Sequence, residues 1–162
     1  MNTTSSRFEQ MCKKLKVVGY KLTPQRMVIL KILSERTDHP NPESIYAALK
    51  MKLPTTSPAT VYKTLAVLKK LNEVLEIQYS NESNRYDGVN PKPHPHIYCT
   101  QCKKFSDLDL LPYDGLFIEI EQQTGYQIHT MNLSIEGICP NCQSRLDAIA
   151  VSEKEDNNYA FT

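Results

Sequence analysis

Two short stretches of the chain concentrate residues that bind metals or do redox work. Cys99-Thr-Gln-Cys102 and Cys139-Pro-Asn-Cys142 are both Cys-x-x-Cys knuckles. Together they supply four thiolates, a complete tetrahedral shell for structural zinc. A closed shell leaves no coordination position open, so that metal would hold a fold and do no chemistry. The gap between the knuckles is longer than in a compact zinc ribbon, so regular structure must fill it and return the chain to the same end. A redox dithiol and unrelated thiols are the competing readings. His94-Pro-His96 is the second signal. In an extended chain, residues two apart project to one face, and both imidazoles can approach one ion. That ion is not the cysteine-bound one, whose shell is full. Cys12 stands apart in a helical pattern and reads as a small buried hydrophobe. His39, alone before a proline, reads as an ordinary loop residue.

The chain around these motifs has 162 residues, 40% of them hydrophobic, enough for one ordinary domain or two small ones. No apolar run approaches the ~20 residues of a membrane span. The first residues lack the basic start, apolar centre and small-residue cleavage site of a secretory signal. The expectation is a soluble, cytoplasmic protein with no membrane partner. In a reducing cytosol, paired Cys-x-x-Cys motifs serve metal or redox chemistry more often than structural disulfides. The net charge of +1 hides an asymmetry. Residues 1–86 hold 14 Lys/Arg and 7 Asp/Glu, whereas residues 87–162 hold 5 and 11. A basic first half suggests contact with a polyanion.

The elements that must position these groups can be read from periodicity. Phe8, Met11/Cys12, Leu15 and Val18 recur at helical spacing, and Gly19 can end that helix. Thr23 then Pro24, Asn41 then Pro42, and Ser57 then Pro58 each give a cap residue followed by a proline suited to the first helical position. Val28, Ile29, Ile32 and Leu33 form one inward face, and Ile45 with Leu49 another. In the third capped helix, Val61, Leu65, Leu68 and Leu71 form the core stripe. Thr60, Tyr62, Lys63 and Thr64 fall off it. Residues 74–79 and 84–87 read as strands around a turn at 80–83. Helices followed by a hairpin describe a winged helix-turn-helix, with the third capped helix placed in a major groove. Its exposed hydroxyls, the Tyr62 ring and Lys63 suit phosphates and thymine methyls.

Residues 88–93 form a stiff, proline-containing linker. Beyond it, residues 96–99 and 104–110 read as strands. Residues 112–123 read as a helix burying Leu116, Phe117 and Ile120. Residues 126–139 alternate with period two as one further strand. Such a small unit exposes a sheet edge that a second copy would cover. The expected organisation is a DNA-binding domain over 1–87, a hinge over 88–93, a dimerisation and metal-binding domain over 94–149, and a disordered tail over 150–162.

Taken in order, Leu22-Thr-Pro-Gln-Arg26, His39-Pro, Ser57-Pro-Ala-Thr-Val-Tyr-Lys-Thr-Leu65, Arg85-Tyr-Asp87, His94-Pro-His96 and the two cysteine pairs resemble the ferric uptake regulator family, over roughly residues 15–145. The resemblance implies an α+β fold, a winged helix-turn-helix DNA-binding domain plus a small α/β dimerisation domain. It implies a homodimer on palindromic double-stranded operator DNA, with structural zinc on Cys99, Cys102, Cys139 and Cys142. It also implies a regulatory divalent ion at the hinge. Carried over position by position, the ligands of the peroxide-sensing branch fall on His39, Asp87, His94, His96 and Asp107. The face of the third capped helix makes Ser57, Ala59, Thr60, Tyr62, Lys63 and Thr64 the expected DNA contacts. The iron-responsive branch commonly has Glu where Asp87 and Asp107 stand. A further site of many iron regulators looks broken: Pro95 replaces an acid, Met131 replaces a histidine, and Asp114 is its one surviving acid.

Three imidazoles and two carboxylates without thiolate suit Fe(II) or Mn(II), whereas soft thiolate sites select zinc or copper(I). The expected function is a metal-dependent repressor, not an enzyme, in which peroxide oxidises a ligand histidine, His39 or His94. An iron-status repressor of the same fold is the nearest alternative. A dithiol redox protein and a zinc-stapled interaction module without DNA binding belong to other classes.

Overall fold

The computed structural model describes residues 5–78, 83–108, 113–129, 131, 133–146 and 148, the side chains of residues 113 and 114 excepted. The turn at 80–82, Asp114 as a possible ligand and the tail over 150–162 lie outside this description. The chain divides into two compact units, Met1–Pro93 and His94–Thr162. No helix among the described residues is long and apolar enough to cross a membrane.

The first unit contains α1 (Arg7–Val17), α2 (Pro24–Glu35), α3 (Pro42–Lys52), α4 (Pro58–Lys70) and an antiparallel hairpin of β1 (Leu75–Ile77) and β2 (Arg85–Asp87). Local chemistry sets its helix boundaries. Ser6 and Glu9 form a reciprocal capping box on α1. Gly19, at φ +83°, lets the Tyr20 and Gly19 N–H groups bond back to Leu15 and Lys16, closing the other end. Thr23 and Asn41 cap α2 and α3 through their side chains. Ser57 occupies the corresponding position on α4, but its side chain makes no cap hydrogen bond. Met11, Leu15, Ile29, Leu30, Leu33, Ile45, Leu49, Val61 and Leu68 are fully buried. Each of these large side chains contributes ~1.5–3 kcal/mol by leaving water. Val18 is 45% exposed, because it caps α1 beyond the last turn that packs. Leu71, at the cap of α4, is only half-buried.

The second unit contains β3 (His96–Cys99), β4 (Phe105–Asp107), α5 (Tyr113–Thr124) and β5 (Ser134–Gly137), with a further helical segment over 140–146. The strand order is β4-β3-β5, with β3 antiparallel to β4 and parallel to β5. A parallel pair needs a crossover connection, and β4 with α5 lies within it. Among the described residues of the alternating segment, only Ser134–Gly137 pairs as a strand. Upstream, the Ile128 N–H donates to Glu121 Oε1 at 2.7 Å, which ties the chain there to α5. Leu116 is exposed, against the sequence expectation, and Phe117 and Ile120 are half-buried. The buried hydrophobic side chains described in this unit are Tyr98, Phe105, Cys99 and Cys142. Among the described residues, so few buried apolar side chains make a structural metal a natural source of further stability.

Candidate metal centres and DNA-reading face

The parallel register explains how two cysteine pairs 37 residues apart meet. Cys99 lies opposite Gly137, so β3 and β5 deliver both knuckles to the same end of the sheet. In the first knuckle, Cys99 and the Lys103/Lys104 backbone exchange two hydrogen bonds of 2.9 Å, and Lys103 takes φ +61° to close the turn. The Thr100 N–H donates to Gly137 O at 2.8 Å, tying that turn to β5. In the second, the Cys139 carbonyl accepts from Cys142 and Gln143, and Pro140 opens the helical segment. The positive end of that helix favours thiolate.

Ligand atoms of Cys99, Cys102, Cys139 and Cys142 all lie within 4.8 Å of one another. Cys102 Sγ and Cys139 Sγ are 3.7 Å apart. Two sulfurs bound tetrahedrally at a Zn–S distance of ~2.3 Å would stand about 3.8 Å apart. A disulfide would need about 2.05 Å. The four cysteines therefore fit zinc. Their ionisation fits as well. Backbone N–H groups of Cys139 and Cys102 hold the Cys99 thiol down to about 6. Hydrogen bonding to Cys139, burial, and the neighbouring Cys102 and Cys99 push Cys142 up to about 12. One thiolate forms readily and the last resists until a cation shares its charge.

The imidazole and carboxylate residues group within each unit. In the first, His39 follows α2 and is 1% exposed, with φ +50°. The Pro40 carbonyl accepts the Tyr86 N–H at 3.1 Å, which pins the His39 loop to β2. Asp87, the last residue of β2, is 2% exposed. Its Oδ1 accepts the N–H groups of Val89 and Asn90, at 2.8 and 3.0 Å. Its Oδ2 lies 3.8 Å from His39 Nε2. In the second unit, His94 and His96 have ring centroids 4.3 Å apart, as same-face residues of an extended chain should. Asp107 pairs with His96 across β3 and β4. Its Oδ1 lies 3.3 Å from His94 Nε2 and 3.6 Å from His96 Nε2. Two donors at ~2.1 Å from one ion, subtending 90–130°, stand about 3.0–3.8 Å apart. Both groups fit a divalent cation of mixed N/O preference.

On α4, Ser57, Ala59, Tyr62 and Lys63 are exposed and Thr60 is half-buried. Thr64 departs from the expectation. It is 1% exposed, and its hydroxyl donates to the Thr60 carbonyl at 2.8 Å, so it is a core residue unavailable to DNA. A position three from Val61 and four from Leu68 sits close enough to the core stripe to be drawn in.

A sequence model of the ferric uptake regulator family matches residues 17–136. The chain belongs to the ferric uptake regulator family. The peroxide-responsive repressor PerR of Staphylococcus aureus (strain USA300) is 33% identical over 137 residues, covering 85% of this chain and 92% of that protein. The Helicobacter pylori ferric uptake regulator Fur, described as having three functional metal binding sites, superposes with a TM-score of 0.72 at 25% identity, covering 85% and 92% of the two chains. The Campylobacter jejuni peroxide stress regulator superposes with a TM-score of 0.63 at 32% identity, covering 83% and 98%. This ferric uptake regulator fold is the α+β class expected from the sequence, and its members are metal-dependent regulators. Periodicity and spacing alone missed the groups that fix the His39 loop against β2: the Pro40 carbonyl and the Tyr86 N–H. Backbone acceptors and contacts across 40 or more positions leave no local pattern to read.

Proposed function

We propose that the protein is a metal-dependent, homodimeric repressor of double-stranded operator DNA that senses peroxide in the cytoplasm. The observation that carries this reading is a thiolate-free imidazole–carboxylate group at each side of the linker 88–93. His39 and Asp87 stand together on one side, and His94, His96 and Asp107 on the other. One Fe(II) or Mn(II) ion takes ligands from both groups and selects one interdomain angle. In a dimer that angle sets the spacing of two α4 helices on a palindromic site. Ser57, Ala59, Thr60, Tyr62 and Lys63 face the duplex. The four cysteines hold zinc, which maintains the fold.

Bound Fe(II) supplies the redox chemistry by which peroxide oxidises a neighbouring imidazole. The family resemblance points to His39 and His94 as the histidines that receive that oxygen. Their oxidation weakens the donor groups they share with Asp87 and Asp107, and the protein leaves DNA. Mn(II) supports DNA binding without that damage. The process is a stoichiometric self-modification, not turnover. Similarity to the Staphylococcus aureus repressor over most of both chains, with Asp at positions 87 and 107, supports the peroxide reading. Fold similarity to Helicobacter pylori Fur favours, as a second reading, an iron repressor that senses reversible occupancy.

Anaerobic Fe(II) loading, peroxide addition and peptide mass mapping separate the two. One added oxygen on His39 or His94, with loss of operator binding, is the expected result. Unmodified histidines with DNA binding intact would sink the peroxide reading and leave the iron reading standing. Operator binding that does not depend on Mn(II) or Fe(II) would overturn both.

A further inference from the structure

Arg7, the first residue of α1, joins three parts of the first unit that are far apart in sequence. Its Nε donates to the Gly88 carbonyl at 2.7 Å. Nη1 donates to Glu73 Oε2 at 2.7 Å and Nη2 to the Glu73 carbonyl at 2.8 Å. The side chains of Arg7 and Glu73 are only 17% and 13% exposed. Each of these partners occupies a consequential place. Glu73 closes the end of α4: its N–H bonds back to Leu68 at 2.8 Å, after Asn72 at φ +54°. Gly88 directly follows Asp87 and begins the linker.

Gly88 is held from its other side as well. A Cβ there would stand 2.6 Å from the Leu33 carbonyl oxygen and 2.8 Å from Leu33 Cβ. The residue at 88 must therefore be glycine, with its backbone pressed against α2. Asp87 Oδ1 then orders the next two amides, Val89 and Asn90. The start of the linker is thus fixed by three devices: contact with Leu33, the Asp87 carboxylate and the Arg7 guanidinium. Arg7 is the one that also grips the end of the reading helix. Its planar fork suits several acceptors at once, which a lysine ammonium cannot match.

We propose that Arg7, paired with Glu73, is a positioning residue for the metal response: it locks the linker origin at Gly88 to the end of α4, so that an ion held by Asp87 is felt at the reading helix. This inference rests on the metal-dependent repressor reading. Arg7 is not among the proposed metal ligands or DNA contacts; its polar partners are Gly88 and Glu73. Its effect is a coupling between two binding events, and coupling is reciprocal.

The test measures operator affinity of the full-length, zinc-containing protein with Mn(II) and after removal of Mn(II). Wild type, Arg7→Lys, Arg7→Gln and Glu73→Gln are compared. Allosteric coupling of ordinary size would give the wild type a gain of about 5–150-fold on adding Mn(II). Arg7→Gln is expected to reduce that gain about three- to ten-fold, the effect of losing one hydrogen bond of ordinary net strength. Arg7→Lys and Glu73→Gln should lie between, with zinc content and metal-free affinity unchanged. Mn(II) affinity measured in the presence of operator should fall by the same factor as the coupling. A merely structural role would lower affinity equally with and without Mn(II), and that outcome overturns the proposal. So does an unchanged gain in Arg7→Gln while the wild type responds to Mn(II). If Arg7→Gln fails to fold, Glu73→Gln and Arg7→Lys decide, and an unaltered gain in both overturns the proposal. Absence of any Mn(II) response in the wild type overturns the repressor reading and this inference with it.

Discussion

At the scale of single residues, Asp87, His39 and Cys99 are each held by groups that do no chemistry. Asp87 uses one oxygen to order Val89 and Asn90 and turns the other toward His39. His39 keeps its place because the adjacent Pro40 carbonyl is bonded to Tyr86. Cys99 is held as thiolate by backbone N–H groups, whereas Cys142 resists ionisation without a cation. Removing one sulfur should therefore cost the whole zinc site. Cys102→Ser is expected to lose zinc and to destabilise the second unit by about 5 kcal/mol or more, since metal binding in such sites is folding free energy. Zinc content and amide exchange over β3, β4 and β5 would check this. Full zinc retention with unchanged protection would contradict it.

At the scale of elements, the wing is held by one carboxylate. Glu76 on β1 accepts from Tyr86 Oη at 2.9 Å and Asn84 Nδ2 at 3.1 Å, and it pairs with Lys69 at the end of α4. Burial alone would raise its pKa. Hydrogen bonds from Lys69, Tyr86 and Asn84 outweigh burial and hold it below the ordinary 4.5. A depressed carboxyl contributes stability that is fully present above its unfolded pKa and is lost as pH falls through the folded value. The wild type should exceed Glu76→Gln by about 1 kcal/mol at neutral pH. That difference should vanish in denaturant titrations near pH 3; a pH-independent difference would assign the effect to packing. The exposed face of α4 invites a second measurement. Lys63→Ala should weaken binding to all duplexes alike and flatten the salt dependence by about one unit of slope, as loss of a single phosphate contact does. A loss confined to one base position would make Lys63 a base reader instead.

At the scale of the whole molecule, the two units differ in what stabilises them. The first has a core of fully buried aliphatic side chains. The second has a three-stranded sheet, few buried apolar residues among those described, and exposed Leu116, Ile118, Ile135 and Ile138. Exposed apolar side chains on α5 and on edge strand β5 suit a second copy of the chain. Ile118, 56% exposed, is a direct place to test this. Ile118→Glu should shift sedimentation from dimer toward monomer at micromolar concentration and weaken operator binding at least ten-fold, because two linked reading helices bind far more tightly than one. An intact dimer carrying that substitution would remove α5 from the interface.

The features legible in the sequence were those encoded within a few residues: Thr23-Pro24 and Asn41-Pro42 as helix starts, Gly19 as a stop, two Cys-x-x-Cys turns, and His94 and His96 on one face. Capping, turn chemistry and side-chain alternation are local, so spacing reveals them. Ser57 shows the limit, since its position was right while its side chain formed no cap. Tertiary structure alone decided the rest. The parallel register of β3 and β5 brings Cys99 to Cys139, the Pro40–Tyr86 bond sets His39 beside Asp87, and helix packing draws Thr64 inward. The alternation over 126–139 promised a long strand, yet among the described residues only Ser134–Gly137 pairs as one. Pairing across the chain depends on register and closure, and the pattern of one segment does not contain its partner.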